Sequence, residues 1–142
     1  MQAIRDCNKS IKLDTENAYA YLNRGNIYMG NNYIEKAKRD YLKLIELNSN
    51  NPEGYYYLGL LYLYQSNYFK ALSFLNKAIV RYTEDMFEEI HVIFHKEEFD
   101  ITDIYIARGD IFRNFDVKEL MCGDYQEACD LGHCEMFEKH CK

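Results

Sequence analysis

The sequence predicts an all-α fold built from repeated pairs of helices, and three observations support this. A period of 34 residues separates Gly25 from Gly59 and Ala37 from Ala71, and a repeat of this length is typical of helical solenoids. Each period contains two apolar patterns with helical spacing, joined by a short polar turn. The chain also has only one Pro and seven Gly among 142 residues, which favours long regular elements over loops.

The repeat register divides a single predicted domain, residues 1–142, into six segments. Gly109 lies 50 residues after Gly59, which is sixteen more than one period, so an insertion is expected before the third unit. In chain order the predicted segments are a half unit at 1–17, complete units at 18–51 and 52–85, an inserted helix at 86–101, a third unit at 102–132 and a capping helix at 133–142. The half unit indicates either an array that continues before residue 1 or a lone helix that caps it.

Helix ends are signalled clearly at two places. Asn51 is suited to be an N-cap, and Pro52 suits the first helical position, where its missing N–H is not needed. Gly132 is expected to end the second helix of the third unit as a C-terminal cap.

Three glycines fall in the middle of predicted first helices, namely Gly25, Gly59 and Gly109. A glycine there costs about 0.5–1 kcal/mol relative to alanine. We therefore expect the backbone of a neighbouring helix to approach each of them.

The pattern Y-x-x-L-G-x-x-Y in the first helix and Y-x-x-A…A in the second resembles the tetratricopeptide repeat (TPR). Residues 52–85 carry it most completely, with Tyr55, Leu58, Gly59, Tyr62, Tyr68, Ala71 and Ala78. The resemblance covers about 120 of the 142 residues and fails over 86–101. It implies antiparallel helix pairs stacked into a right-handed α-solenoid, with the first helix of each pair lining a concave groove.

The resemblance also implies which side chains face that groove. In the three units these positions are Tyr19, Leu22, Asn26 and Met29, then Glu53, Tyr56, Leu60, Leu63 and Tyr64, then Asp103, Ile106, Asp110 and Arg113. The second-unit stretch YYYLGLLYLYQ is apolar on every face of its helix, so its groove side is either an interaction site or covered by another element. The predicted peptide-binding residues are Tyr19, Leu22, Asn26, Tyr56, Leu60, Leu63 and Tyr64.

One subclass of TPR proteins binds carboxylate tails through Lys, Asn and Arg at set groove positions. Here those positions hold Leu22, Asn26, Tyr57, Asp103 and Ala107, and only Asn26 fits. The groove is therefore expected to take an extended or helical segment with apolar and aromatic side chains.

Two ion pairs are expected because their members change together between units. Arg24 and Arg108 occupy one position of the first helices, and Asp40 and Asp124 one position of the second helices. The second unit has Leu58 and Phe74 at these two positions. We predict that Arg24 contacts Asp40 or Asp6, that Arg108 contacts Asp124, and that Leu58 and Phe74 lie in a drier environment; a solvated charged face is the alternative.

The inserted segment MFEEIHVIFHKEEFDI has the pattern of an amphipathic helix. Its apolar stripe consists of Met86, Phe87, Ile90, Ile93 and Phe94. This stripe must pack on something, and three occupants stay open: the wall of the solenoid between the second and third units, the groove, or a second copy of the chain.

Four cysteines lie close together in CGDYQEACDLGHCEMFEKHCK. Cys122 and Cys129 are seven residues apart on one predicted helix, and Cys134 and Cys141 on the next, so each pair shares a face. An antiparallel hairpin turning at Gly132 brings Cys129 opposite Cys134 and Cys122 opposite Cys141. We expect the four to face each other, either as thiols or as one or two disulfides. Zinc bound through Cys129, Cys134 and a His is a less favoured alternative.

EACDLG also resembles the Cys-bearing helix ends of Sel1-like repeats, relatives of this fold in which a disulfide joins each helix pair. The Cys spacing departs from that pattern, because here the second of the two joined helices is the predicted capping helix.

Composition argues against several classes of partner. The net charge of -6 and the pI near 5.2 disfavour nucleic acid, and no apolar run reaches the roughly 18 residues of a membrane span. The polar start MQAIRDCNKS shows no secretory signal, and five cysteines leave at least one unpaired in a monomer. A cytoplasmic location is therefore expected.

No spaced set of nucleophile, base and stabiliser is recognisable, so the sequence predicts neither an enzyme nor a cofactor. His91 and His95 are four residues apart on the predicted insert helix, which suits two metal ligands on one face. Without an obvious third ligand, two solvated or half-buried histidines are the favoured interpretation, and no metal site is predicted.

The leading hypothesis is a non-catalytic module that binds a peptide segment or partner protein in a Tyr-rich concave groove. The alternative is a structural or self-associating element whose groove is filled by the insert helix or by another chain, including a homodimer. An open groove around Tyr56 and Tyr64 favours the first, and a filled one the second.

Overall fold

A computed structural model describes residues 1–87 and 100–142, with residues 84–87 described by their backbone alone. These residues form helices and no strand, so the predicted all-α class is confirmed. The helices are α1 Gln2–Leu13, α2 Ala18–Gly30, α3 Ile34–Leu47, α4 Pro52–Tyr64, α5 Tyr68–Phe87, α6 Ile101–Asn114, α7 Lys118–Asp130 and α8 Glu135–His140. None of these helices is long and apolar enough to cross a bilayer.

The helices form consecutive pairs, α2 with α3, α4 with α5 and α6 with α7. Helix α1 packs on α2 and corresponds in the repeat register to the second helix of a pair. Helix α5 continues to Phe87, two residues past the predicted end of the second unit at 85. Of the rest of the predicted insert helix, 88–99 lie outside the described residues, whereas Asp100 is the N-cap of α6 and Ile101 its first residue, so the third unit begins earlier than predicted.

The turn inside each pair has the same geometry in all three units. Asn32, Ser66 and Asp116 adopt positive φ angles of 62°, 56° and 57°, at spacings that follow the repeat and its insertion. The next amide donates to the carbonyl oxygen five residues earlier, at 2.8 Å for Tyr33 to Tyr28. This left-handed residue reverses the chain within three residues, so the second helix packs antiparallel to the first.

One large side chain fills the centre of each helix pair. Tyr41, Leu75 and Tyr125 occupy equivalent positions and are fully buried. A Cβ atom built on Gly25 would lie 2.7 Å from Cε1 of Tyr41, and one built on Gly109 would lie 2.6 Å from Cε1 of Tyr125. At Gly25 and Gly109 the nearest atoms of the partner helix therefore belong to a buried ring and not to the backbone. At Gly59 a Cβ atom would lie 2.8 Å from the Leu75 side chain and 3.5 Å from its backbone nitrogen, so the expected approach of a neighbouring backbone is met there.

The predicted caps are confirmed. The Asn51 side chain accepts a hydrogen bond from the amide of Glu53 at 2.8 Å, and Pro52 opens α4. After α7, Gly132 has a φ of 105°, and the amide of His133 donates to the carbonyl of Ala128 at 3.0 Å. This left-handed cap turns the chain back toward α7, which places α8 against it.

Candidate functional site

The candidate site is the face of α2 and α4 assigned above to the groove, called here the first-helix face. We define it by Tyr19, Asn26, Tyr56, Leu60, Leu63 and Tyr64. Tyr64 is 62% exposed and Tyr19 47%. Asn26 is also exposed, and Tyr56, Leu60 and Leu63 are half-buried. Leu22 is only 7% exposed and belongs to the core cluster, so its assignment to ligand binding is corrected.

An aromatic cluster connects this face to the core. The Tyr56 and Tyr57 rings meet edge-on with centroids 5.2 Å apart, and Tyr57 stacks on the buried Tyr41 ring at 5.5 Å. The Tyr64 hydroxyl donates to Oδ1 of Asn32 at 3.3 Å. Burial, with a smaller contribution from Asp103, raises the pKa of Tyr56, so this phenol stays neutral at physiological pH. Ring contacts of this kind limit the freedom of tyrosines that a ligand would otherwise have to order.

Two polar side chains of the first helices accept hydrogen bonds from the buried tyrosines. The Tyr41 hydroxyl donates to Oδ1 of Asn26 at 2.8 Å, and the Tyr125 hydroxyl donates to Oδ1 of Asp110 at 2.6 Å. The second unit has Leu60 in place of the acceptor and a leucine in place of the tyrosine. This pairing was not predicted, although the two positions become apolar together in the second unit.

Arg24 and Arg108 each lie against the aspartate of their own unit. Nε and Nη2 of Arg24 donate to the two Asp40 oxygens at 2.8 and 2.7 Å. Arg108 donates to Asp124 in the same bidentate way, at 2.9 and 2.6 Å. The hydrogen bonds that the carboxylates accept raise the pKa of both guanidinium groups, and both aspartates are buried.

A third member of each cluster comes from the preceding second helix. Nη1 of Arg24 donates to Asn8 of α1 at 2.7 Å, and Nη1 of Arg108 donates to Asn76 of α5 at 2.6 Å. The equivalent residue between these two asparagines is Leu42. Each arginine therefore joins its own unit to the unit before it.

In the second unit all three positions are apolar, with Leu42, Leu58 and Phe74. Leu58 is fully buried, and the half-buried Phe74 ring stacks on Tyr62 with centroids 5.4 Å apart. The centre of the chain therefore uses ring stacking where both ends use a charged cluster.

The four C-terminal cysteines are brought together across the α7–α8 hairpin. In the structure Cys122 is joined to Cys141, with Cα atoms 5.6 Å apart, and Cys129 to Cys134, with Cα atoms 3.9 Å apart. Cys7 on α1 is the free thiol of the described residues, and burial raises its pKa. His140 lies beside Arg113, with Nε2 and Nη1 3.2 Å apart.

Within residues 1–83 and 100–142, no three His, Cys, Asp or Glu side chains are grouped to hold a metal ion. His91 and His95 lie outside this part of the chain.

Comparisons with known proteins agree with this architecture. Residues 25–66 match the family model described as TPR repeat. A TPR repeat-containing protein of Methanocaldococcus jannaschii, MJ1428, is 33% identical over 88 residues, which is 62% of this chain and 15% of that protein. Subunit 3 of the anaphase-promoting complex of Schizosaccharomyces pombe is 36% identical over 62 residues, 44% of this chain and 9% of that protein.

Solved structures give the same fold. The crystal structure of YrrB, described as a TPR protein with an unusual peptide-binding site, superposes with a TM-score of 0.71 at 22% identity, over 92% of this chain and 62% of that one. The N-terminal domain of stress-induced protein-1 from C. elegans superposes with a TM-score of 0.68 at 20% identity, over 86% and 89%. The chain thus has the fold of TPR α-solenoids, and it spans about one seventh or less of the two curated relatives.

Proposed function

We propose that this chain is a non-catalytic interaction module that binds a peptide segment or partner protein along the first-helix face. The observation that carries the proposal is the apolar surface that α4 keeps accessible. Tyr64 is 62% exposed, and Tyr56, Leu60 and Leu63 are half-buried rather than buried. Apolar and tyrosine side chains gathered on one surface are typical of binding sites.

The same face indicates the chemistry of the ligand. Flat tyrosine rings beside leucines suit aliphatic or aromatic side chains, because such contacts bury apolar area at little cost in side-chain entropy. Asn26 gives a polar group with which a peptide backbone can form hydrogen bonds, and Tyr41 already holds its side chain in place. We also propose that the chain is a member of the TPR family and that its C-terminal segment is related to Sel1-like repeats.

The similar proteins support an interaction role. YrrB is described as having a peptide-binding site, and the Schizosaccharomyces pombe relative is a subunit of a multiprotein complex. Both comparisons concern the fold or a small part of the relative, so the identity of the partner does not transfer from them. The ligand must be found by experiment.

The test starts from peptides selected from a random displayed library on the immobilised full chain. The affinity of a selected peptide is then measured by calorimetry for the wild type and for Leu63→Lys and Tyr64→Lys. We expect each substitution to weaken binding about tenfold or more, because it places a charge in an apolar contact. Phe69→Lys is the matched control, since Phe69 is 86% exposed and lies on α5 instead of the first-helix face. Equal losses in all three variants would refute the proposal.

Light scattering after size exclusion tests the alternative role in the same samples. A dimer that Leu63→Lys and Tyr64→Lys convert to monomer would favour self-association through this face. Peptide binding that appears only after residues 88–99 are replaced by a Gly-Ser linker would favour the insert as the occupant.

A further inference from the structure

A second groove lies where Asn76 of α5, three residues of α6 and five residues of α7 meet. It has a volume of about 470 Å³. Its lining includes Tyr105, Phe112, Glu119, Leu120, Gly123 and Glu127. We call it the α5–α7 groove. It is distinct from the first-helix face, and the inference below does not depend on the function proposed above.

Tyr105, Phe112 and Leu120 give the groove apolar contacts, and the carboxylates of Glu119 and Glu127 give it negative charge. Arg108 and Asp124 also line it, but they neutralise each other through their bidentate hydrogen bonds. Glu119 and Glu127 are both exposed, and neither forms an ion pair with a residue of 1–83 or 100–142. One positive and three negative groups therefore leave a net charge of −2. Burial and the nearby Glu127 carboxylate raise the pKa of Tyr105, which agrees with this field.

Gly123 has no packing role within the described chain. It lies inside α7, and a Cβ atom built on it would meet no heavy atom within 4 Å. By contrast, Gly25, Gly59 and Gly109 each face a buried side chain. A helix-interior glycine is unfavourable unless something approaches closely, and Gly123 opens directly onto the groove.

The preceding pair of second helices shows what fills the equivalent place. Between α3 and α5, the Phe74 ring stacks on Tyr62, and these two residues are equivalent to Asp124 and Phe112. Lys70 lies 5.2 Å from the centroid of the Tyr62 ring, and Lys77 lies 5.3 Å from that of Phe74. The chain therefore fills one inter-repeat groove with an aromatic side chain flanked by lysines. In the α5–α7 groove the residue equivalent to Phe74 is Asp124, which pairs with Arg108. The residues equivalent to Lys70 and Lys77 are Leu120 and Glu127.

We propose that the α5–α7 groove binds a peptide segment in which an aromatic or aliphatic side chain is flanked by lysine or arginine. The apolar side chain takes the place that Phe74 takes in the preceding groove, and the cations pair with Glu119 and Glu127. Residues 88–99 of the same chain do not match this chemistry, because four Glu and one Lys give them a charge of −3. A second copy is disfavoured by its net charge of -6.

The probe is a fluorescein-labelled peptide with one phenylalanine between two pairs of lysines, titrated into the full chain and followed by fluorescence anisotropy. Gly123→Arg blocks the groove with a bulky cation, and the pair Glu119→Lys with Glu127→Lys reverses its charge. We expect about tenfold weaker binding or more in both variants, from steric exclusion and like-charge repulsion. Gly123→Ala should weaken binding less than Gly123→Arg, because one methyl group fills only part of the space beside the helix, and it should melt at a higher temperature than the wild type.

The matched control is Glu16→Lys with Glu35→Lys, which makes the same change in net charge on exposed residues elsewhere. Glu35 is the first-unit equivalent of Glu119. Circular dichroism melting verifies that each variant is folded. The control should keep its affinity within about threefold, because distant exposed charges are screened.

Four results would overturn the proposal. The first is equal weakening in the control, which would mean unspecific charge attraction. The second is equal binding of a glutamate–phenylalanine peptide, and the third is absence of binding to the lysine–phenylalanine peptide. The fourth is a different occupant: either a wild-type dimer that Gly123→Arg dissociates, or binding that appears only after residues 88–99 are replaced by a linker.

Discussion

At the scale of single residues, one set of three positions carries two kinds of chemistry. In the outer units an arginine is held by an aspartate of its own unit and an asparagine of the preceding second helix. In the second unit the same positions are Leu42, Leu58 and Phe74. A partly buried charge is stable only while its partners are complete. All three positions must therefore change together.

This dependence predicts a specific pattern of stabilities. Asp40→Ala should lower the free energy of unfolding by about 2 kcal/mol, because Arg24 loses both charged hydrogen bonds while it remains partly buried. The triple change Asn8→Leu, Arg24→Leu and Asp40→Phe copies the second unit and should recover most of that loss. Urea denaturation measures both variants. A triple variant that is less stable than Asp40→Ala would contradict the argument.

The contact between a glycine and a buried ring gives a second prediction. Gly109→Ala should destabilise the fold by about 1–3 kcal/mol, because the new methyl group meets the fully buried Tyr125 ring. Gly123→Ala is the matched control in a helix interior with open space, and it should stabilise by up to about 1 kcal/mol. Thermal melting of the two variants measures the difference. Shifts of the same sign would show that ring contact is not what requires Gly109.

The sequence predicted residue roles only where two positions were compared across units. Arg24 and Asp40 could be paired because both become apolar in the second unit. Asn8 also has an apolar equivalent, Leu42, and Asn26 and Tyr41 have Leu60 and Leu75. Comparing these positions across the units would have identified both contacts. The burial of Leu22 could not be found in this way, because it depends on how the neighbouring helices close over one turn of α2.

At the scale of elements, α8 lies at the repeat position of a first helix. It begins at Glu135, 34 residues after α6 begins at Ile101, and in this register His140 corresponds to Ile106 and Tyr56. It ends after six residues, none of them buried. Such a short helix gains little from packing, so its covalent links to α7 account for its position.

The cysteine links predict a thiol count. Protein unfolded in guanidinium without reductant should show one reactive thiol of the five, Cys7, when titrated with a thiol reagent. Loops of 19 and 5 residues correspond to about 3 and 2 kcal/mol of chain entropy, so Cys122→Ser with Cys141→Ser should cost more than Cys129→Ser with Cys134→Ser. Five reactive thiols in the unfolded wild type would contradict the oxidised form and leave the four cysteines as facing thiols.

Helix boundaries were predictable because they recur at equivalent positions in each unit. Turns with a positive φ recur at equivalent residues, and caps such as Asn51 and Gly132 mark ends that periodicity alone leaves uncertain. The end of α5 was less predictable, since Asp85 and Met86 carry no cap or breaker signal and the helix continues to Phe87.

At the scale of the whole molecule, stacking of helix pairs separates the surface into two sides. First helices present the Tyr-rich face around α4, and second helices leave the α5–α7 groove. The 34-residue period predicted this architecture, because each pair can bury its apolar side only against its neighbours. Periodicity says nothing about the ligand, since ligand recognition depends on the side chains that the fold does not need.

The most direct test of the central claim is to map a selected peptide by ¹H–¹⁵N NMR titration of the full chain. The interaction module proposed here predicts that shifted amides cluster on the first-helix face, around Tyr56, Leu60 and Leu63 of α4, and that Tyr64→Lys removes the shifts. Shifts confined to α5 and α7 around Gly123 would contradict that function while leaving the second groove as a binding site. No shifts with any selected peptide would contradict the account of a peptide-binding solenoid.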